Sequence, residues 1–131
     1  MVMEENRIED EIMALRSEGA SCSKATLLGI MRVMGSDYPE PLMEAIASGL
    51  RGGIGATRGE GTCGALTAAV VAAGIVCGPD EKRSLRIAKE LYDSFKSERG
   101  AVECGALFAQ GRMKCNECCI CAGRKAVELL R

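Results

Sequence analysis

The sequence predicts an all-α fold, a compact multi-helix bundle with a glycine-rich loop ahead of a central apolar helix. Three observations carry that expectation. Apolar residues recur at helical spacing through most of the chain. Period-two alternation is not evident, and apolar β-branched runs are rare. Gly, Pro, Ser and Asp stand at the points where helices would start and stop.

The elements follow in order. A first helix is expected over about residues 6–18, with Ile8, Ile12 and Leu15 on one face and Gly19 as its stop. Ser21 and Ser23 are good N-caps for a second helix carrying Ala25, Leu28, Met31 and Met34, closed by Gly35. Pro39 and Pro41 begin a third, since proline suits the first helical turn. Its apolar face is read as Leu42, Ala45, Ile46 and Leu50. Residues 49–62 form a glycine-rich loop, and Thr62 is read as the cap of a helix over about 63–76. That helix is apolar nearly all round and belongs at the centre of the bundle. Gly78-Pro79-Asp80 ends it and caps a fifth helix over 81–99. The expected stripe there is Leu85, Ala88, Leu91, Tyr92 and Phe95, with Gly100 as the stop. A short helix is expected near Cys104, then a loop over 110–117, then a last helix over 119–130. No linker divides residues 1–131, so a single helical domain is expected.

Composition narrows the function. The chain has 131 residues, 47% of them hydrophobic and 27% charged, with a net charge of -1. A globular protein follows, and nothing builds the basic stripe that nucleic acid requires. Two Tyr, two Phe and no Trp leave no platform for stacking bases. The longest apolar stretch is shorter than a membrane span. The charged N-terminus lacks the form of a signal peptide, so a cytoplasmic location and no membrane partner are expected.

Eight cysteines are the outstanding number, and histidine is absent. In a reducing compartment, clustered cysteines point to metal binding or redox chemistry rather than to disulfide staples. The lack of histidine removes imidazole bases and imidazole ligands together. Cys22, Cys63, Cys104 and Cys119 each fall near an expected helix start. There the backbone N–H groups and the helix dipole favour a thiolate. Cys115-Asn116-Glu117-Cys118-Cys119-Ile120-Cys121 places four thiols within seven residues. Such a run fits metal or redox chemistry better than packing. Cys77, ending an apolar helix, reads as core filler.

Gly59-Glu60-Gly61-Thr62-Cys63-Gly64 spells a dinucleotide-binding pattern. The strand that such a pattern needs before it is missing, so the match is accidental. Gly59, Gly61, Thr62 and Gly64 are instead candidates for close backbone approach to a ligand at the cysteine site. Arg51 and Arg58 could hold an anion near a helix start, although loop arginines are more often solvated.

Ser21-Cys22-Ser23-Lys24-Ala25, the segment Arg58-Gly59-Glu60-Gly61-Thr62-Cys63-Gly64-Ala65-Leu66-Thr67, Cys104-Gly105-Ala106-Leu107, and Cys119 together resemble the C_GCAxxG_C_C family of redox-active proteins. The resemblance extends from about residue 15 to 131. It implies Cys22, Cys63, Cys104 and Cys119 as signature cysteines, with Cys118 and Cys121 as neighbours able to take the last place. The family is similar to domains of multi-centre redox proteins, among them split-Soret cytochromes. Without histidine or a haem motif, only the iron–sulfur part could carry over.

Two uses of these thiols stand open. Cys22, Cys63, Cys104 and one of Cys118, Cys119 or Cys121 could hold an iron–sulfur cluster, or the same thiols could form a reversible dithiol/disulfide. The alternative class is a structural zinc or metal-binding interaction module. A redox partner protein or a small electron carrier is the expected partner, and a homodimer is allowed. The 41-residue separations from Cys22 to Cys63 and from Cys63 to Cys104 predict that three helix starts meet at one end of the bundle.

Overall fold

The fold is described from a computed structural model, which covers residues 2–111 and 113–131, with the side chains of 2–6 and 113 left aside. Seven helices are found among the described residues: α1 Val2–Ser17, α2 Cys22–Val33, α3 Glu40–Ser48, α4 Gly64–Cys77, α5 Glu81–Arg99, α6 Cys104–Phe108 and α7 Met113–Leu130. The all-α expectation holds. The described backbone has no strand, only an isolated bridge between Thr62 and Glu103.

Helices α2, α4 and α7 pack on one another at the centre, with α1 against α2 and α7 and α5 against α4 and α7. The core uses small residues where helices approach closely. On α4, Ala65, Ala68, Ala69, Ala72 and Ala73 are buried beside Leu66. On α7, Ala122 and Ala126 do the same. Gly29 of α2 and Gly123 of α7 both face the Ile8 and Ile12 side chains of α1. A Cβ would stand 2.9 Å from Ile12 at Gly29 and 2.6 Å from it at Gly123. The aliphatic residues of α1 thus seat against two glycines, which explains how an aromatic-poor chain closes its core.

Several helix ends have their caps. Ser21 Oγ accepts from the Lys24 N–H at 3.3 Å, and Asp80 Oδ1 accepts from the Arg83 N–H at 3.1 Å. Gly100 closes α5 with a φ of 84°, a conformation that favours glycine. Arg32 ties three helices by pairing bidentately with Glu40 at 2.7 and 2.8 Å and with Glu11 at 3.2 Å.

Five details differ from the sequence reading. Helix α1 starts at Val2 rather than near residue 6. Helix α3 buries Met43 and Ala47, leaving Leu42, Ala45 and Ile46 exposed and Leu50 half-buried. It packs chiefly along α2, and that contact selects the face. On α5 the buried residues are Ile87, Leu91 and Phe95, with Leu85 and Tyr92 exposed. Cys63, not Thr62, takes the N-cap position of α4. Finally, α7 begins at Met113. The cysteine run therefore lies in the first turns of a helix and not in a loop. The brevity of α6 lets the chain turn back, so α7 starts at the end where α2 and α4 start.

Candidate functional site

Four helix starts surround one cavity of about 380 Å³. Cys22, Cys63, Cys104, Cys115 and Cys118 line it, with Arg16, Arg51 and Arg58, the apolar side chains of Ala20, Leu107 and Phe108, and the backbone of the glycine-rich loop. Each thiol arrives by a different local rule. Cys22 is the first residue of α2, just after the Ser21 cap. Cys63 is the N-cap of α4, its N–H donating to the Val102 carbonyl at 2.7 Å. Cys104 opens α6, its N–H donating to the Gly61 carbonyl at 2.8 Å. Cys115 and Cys118 are one turn apart on α7, and i,i+3 spacing puts them on one face.

The glycine-rich loop forms one wall, and it leaves no room for a side chain at Gly53, Gly61 or the following Gly64, although a Cβ at Gly59 would meet nothing. A Cβ on Gly61 would stand 2.1 Å from the Gly53 carbonyl oxygen, and one on Gly53 would meet the Cys104 Cβ at 2.7 Å. At Gly64 a Cβ would lie 2.9 Å from Cys22 Sγ and 2.8 Å from the Leu50 carbonyl oxygen. Gly59 accepts from the Gly105 N–H at 2.9 Å, and Thr62 bridges to Glu103. Ile54, Ala56 and Arg58 take positive φ values of 73°, 57° and 54°. Residues with a Cβ adopt that region at a cost, so the loop is held in its shape by its contacts. Ala56→Gly is accordingly expected to raise stability slightly or leave it unchanged, read as the thermal midpoint, whereas Ala56→Val is expected to lower it.

Electrostatics separates the thiols. Cys63 is drawn below its ordinary value, chiefly by the hydrogen bond from the Cys118 thiol. Burial opposes this shift, and the Ala65 and Leu66 N–H groups support it. No standard cap hydrogen bond forms at the sulfur, so those two N–H groups act through their field at the helix start. Cys118 is pushed up by the same contact with Cys63 and by burial. One thiol of the pair gives up its proton readily and the other holds its own. Burial raises Cys104 and Cys115 as well.

A pH dependence follows from that direction. A lowered folded-state value means that Cys63 is ionised at a pH where an ordinary thiol is still protonated. Its alkylation by iodoacetamide is expected to rise with pH through a midpoint below the free-thiol value of about 8.5. Cys118→Ala removes the donor and is expected to move that midpoint upward. An unchanged midpoint in the variant would show that Cys118 does not set it.

Two of the candidate thiols lie elsewhere. Cys119 is wholly buried, pushed up to about 12 by burial, with its thiol donating to the Cys22 carbonyl at 3.6 Å. Cys121 points to the opposite side of α7, where its thiol meets Glu98 Oε2 at 3.2 Å. Burial, with Glu98 beside it, raises Cys121 to about 12. Cys77 is buried at the far end of α4. Cys119→Ala is expected to cost about 1 kcal/mol of stability through the lost sulfur contacts. The Cys63 alkylation rate should stay within twofold of the parent, and a collapse of that rate would place Cys119 in the site.

Cys115 was read from the sequence as part of the thiol run but was not named among the site residues. The signal for it was present in the Cys-x-x-Cys spacing, which on a helix aligns Cys115 with Cys118. Among the described residues no three Cys, Asp or Glu side chains are disposed to hold a single metal ion. No helix among them is long and apolar enough to cross a membrane.

No curated protein and no solved structure matches the chain. A family model matches residues 20–131, a span that takes in α2 through α7 and every cysteine, and its description reads "Putative redox-active protein (C_GCAxxG_C_C)". With the cavity thiols and the glycine-rich loop inside that match, the chain belongs to the C_GCAxxG_C_C family.

Proposed function

We propose that this protein is a thiol–disulfide redox protein in which Cys63 is the attacking thiolate and Cys118 the resolving thiol. The observation that carries the reading is that both thiols line one cavity at the start of α4 together with three further thiols, and the lowered Cys63 beside a raised Cys118 supports it.

The chemistry balances with the substrate disulfide as oxidant. The Cys63 thiolate attacks one sulfur of the substrate, forming a mixed disulfide and releasing the other half as a thiolate. Cys118 then loses its proton to that leaving thiolate or to water and attacks Cys63 Sγ. The second half leaves, and Cys63 and Cys118 are joined. The substrate gains two electrons and the dithiol loses two. Cys22, Cys104 and Cys115 lie on the same cavity, where two of them can take over the disulfide and regenerate the pair, and an external dithiol, oxidised in turn, returns the two electrons to the chain.

A second reading has one observation in its favour, the sulfur-only donor set of the cavity. Thiolates are the ligands of iron–sulfur centres, which exchange single electrons. Cys22, Cys63, Cys104 and Cys118 would hold such a centre, with Cys63 and Cys118 drawn apart from their contact. A tetrahedral zinc site would draw on the same four thiolates.

Anaerobic purification followed by determination of iron, sulfide, zinc and free thiols decides among them. The dithiol reading expects a colourless protein that titrates all eight cysteines as thiols when denatured, and two fewer after one equivalent of disulfide. A brown protein with stoichiometric iron and sulfide would overturn it in favour of the cluster. Stoichiometric zinc would overturn it in favour of a structural metal module.

A further inference from the structure

We infer that the cavity takes an anionic low-molecular-weight disulfide, bound through Arg51 and Arg58 of the glycine-rich loop. The inference rests on the dithiol reading for its chemistry and on the charge of the cavity wall for its ligand.

Among the described residues, three arginines and no carboxylate line the cavity. Arg16 is already engaged: its Nε donates to Asn116 Oδ1 at 2.8 Å and its Nη1 to the Ala20 carbonyl at 3.0 Å. Arg51 and Arg58 differ from it. Among the described residues, neither takes part in an ion pair. Arg58 lies over the Phe108 ring at 4.6 Å from its centroid, which places the guanidinium at the mouth while leaving its edge free to donate. Both are exposed at the rim rather than buried.

The loop holds them there firmly. The Arg58 N–H donates to the Gly52 carbonyl at 2.9 Å, and the Arg51 carbonyl accepts from the Ala56 N–H at 2.7 Å. Arg58 also keeps a positive φ that its side chain does not favour. Two planar guanidinium groups without acidic partners, held around a reactive thiol, suit a carboxylate on either arm of a disulfide. The apolar lining of Ala20, Leu107 and Phe108 suits the short carbon chains between carboxylate and sulfur. A cavity of about 380 Å³ admits a molecule of that size.

Three disulfides of similar size and different charge make the test: dithiodipropionate (two negative charges), hydroxyethyl disulfide (neutral) and cystamine (two positive charges). Each is reacted with the reduced full chain, and mixed-disulfide formation at Cys63 is timed by mass spectrometry. Intrinsic reactivity is corrected with a small free thiol. The expected order is dithiodipropionate over hydroxyethyl disulfide over cystamine, about tenfold from first to last. In Arg51→Gln/Arg58→Gln the order should collapse, with the corrected ratio of the dithiodipropionate rate to the cystamine rate falling to within about twofold of one. Equal corrected rates for all three reagents in the parent would overturn the anion inference and leave the dithiol reading standing. If no reagent modifies Cys63, the dithiol reading fails, and suberate decides the rest. Suberate is a dicarboxylate of the same length without sulfur. Amide-shift perturbation at residues 51–58 that vanishes in the double variant would keep the anion site, and none in the parent would remove it.

Discussion

Cys63→Ser is expected to lower the rate of disulfide reduction by roughly a thousandfold or more, as loss of a nucleophile does elsewhere. A hydroxyl stays protonated where a thiolate forms, and the helix-start field cannot bring it into range. Serine is close in size to cysteine, and it is an accepted N-cap residue, so α4 should form as before. Thermal unfolding within about 1 kcal/mol of the parent checks that point. Cys118→Ser should behave differently. The first attack still occurs, but resolution does not, so a mixed disulfide accumulates on Cys63. Parental activity in Cys63→Ser would move the attacking role to another cavity thiol.

Gly61→Val is expected to produce the largest structural effect of any single loop substitution. The Gly53 carbonyl oxygen stands where the first side-chain atom would go, at 2.1 Å, and its carbon at 2.7 Å. Backbone cannot yield as a flexible side chain does, so the two loop arms must separate. Separation breaks the bond from the Cys104 N–H to the Gly61 carbonyl and loosens Cys104 from the cavity. A loss of about 2 kcal/mol or more is expected, from overpacking together with the lost hydrogen bond. Helix content should change little, because α3 ends at Ser48 and α4 begins at Gly64, so residues 49–62 hold no helix. Circular dichroism and the thermal midpoint read the two effects separately. An unchanged midpoint would reduce the loop to a connector.

How much of this was legible in the sequence depends on which forces set each feature. Helix α5 was read at its exact bounds, because Asp80 caps it and Gly100 ends it. Those are local signals, and they act alike in any fold. The start of α7 was missed by six residues, since helix 119–130 begins at Met113. Cysteine and asparagine are weak helix formers, and the run carries no N-cap signal strong enough to reveal where the helix opens. The exposed faces of α3 and α5 were misread for another reason. Both sides of α3 are apolar, and only its packing on α2 selects Met43 and Ala47.

The site divides in the same way. Three of its thiols, Cys22, Cys63 and Cys104, were named from their places at helix starts, and all three line the cavity. The fourth turned on helix phase. Cys118 and Cys119 are neighbours in sequence but about 100° apart around α7. Cys119, Ala122, Ala126 and Leu130 are spaced by three, four and four residues, and together they mark the buried face. That pattern could have assigned Cys119 to the core. It leaves Cys118 for the cavity, whereas Cys115, about 40° from Cys119 around α7, lines it from one turn nearer the helix start. The pattern was hidden because the helix was read as starting at Cys119, which left Cys115 and Cys118 outside it and so without a phase. The roles of Arg51 and Arg58 were not decidable from sequence, because an arginine's lack of an acidic partner is a property of tertiary contacts.

The central claim is that Cys63 and Cys118 form a working pair, and disulfide mapping tests it most directly. The reduced chain is treated with one equivalent of hydroxyethyl disulfide under anaerobic conditions, quenched with acid, alkylated and digested, and the linked peptides are identified by mass spectrometry. The account predicts a single dominant cross-link, between the peptides carrying Cys63 and Cys118. A dominant cross-link that omits Cys63, or recovery of both residues as free thiols while the reagent is consumed elsewhere, would contradict it.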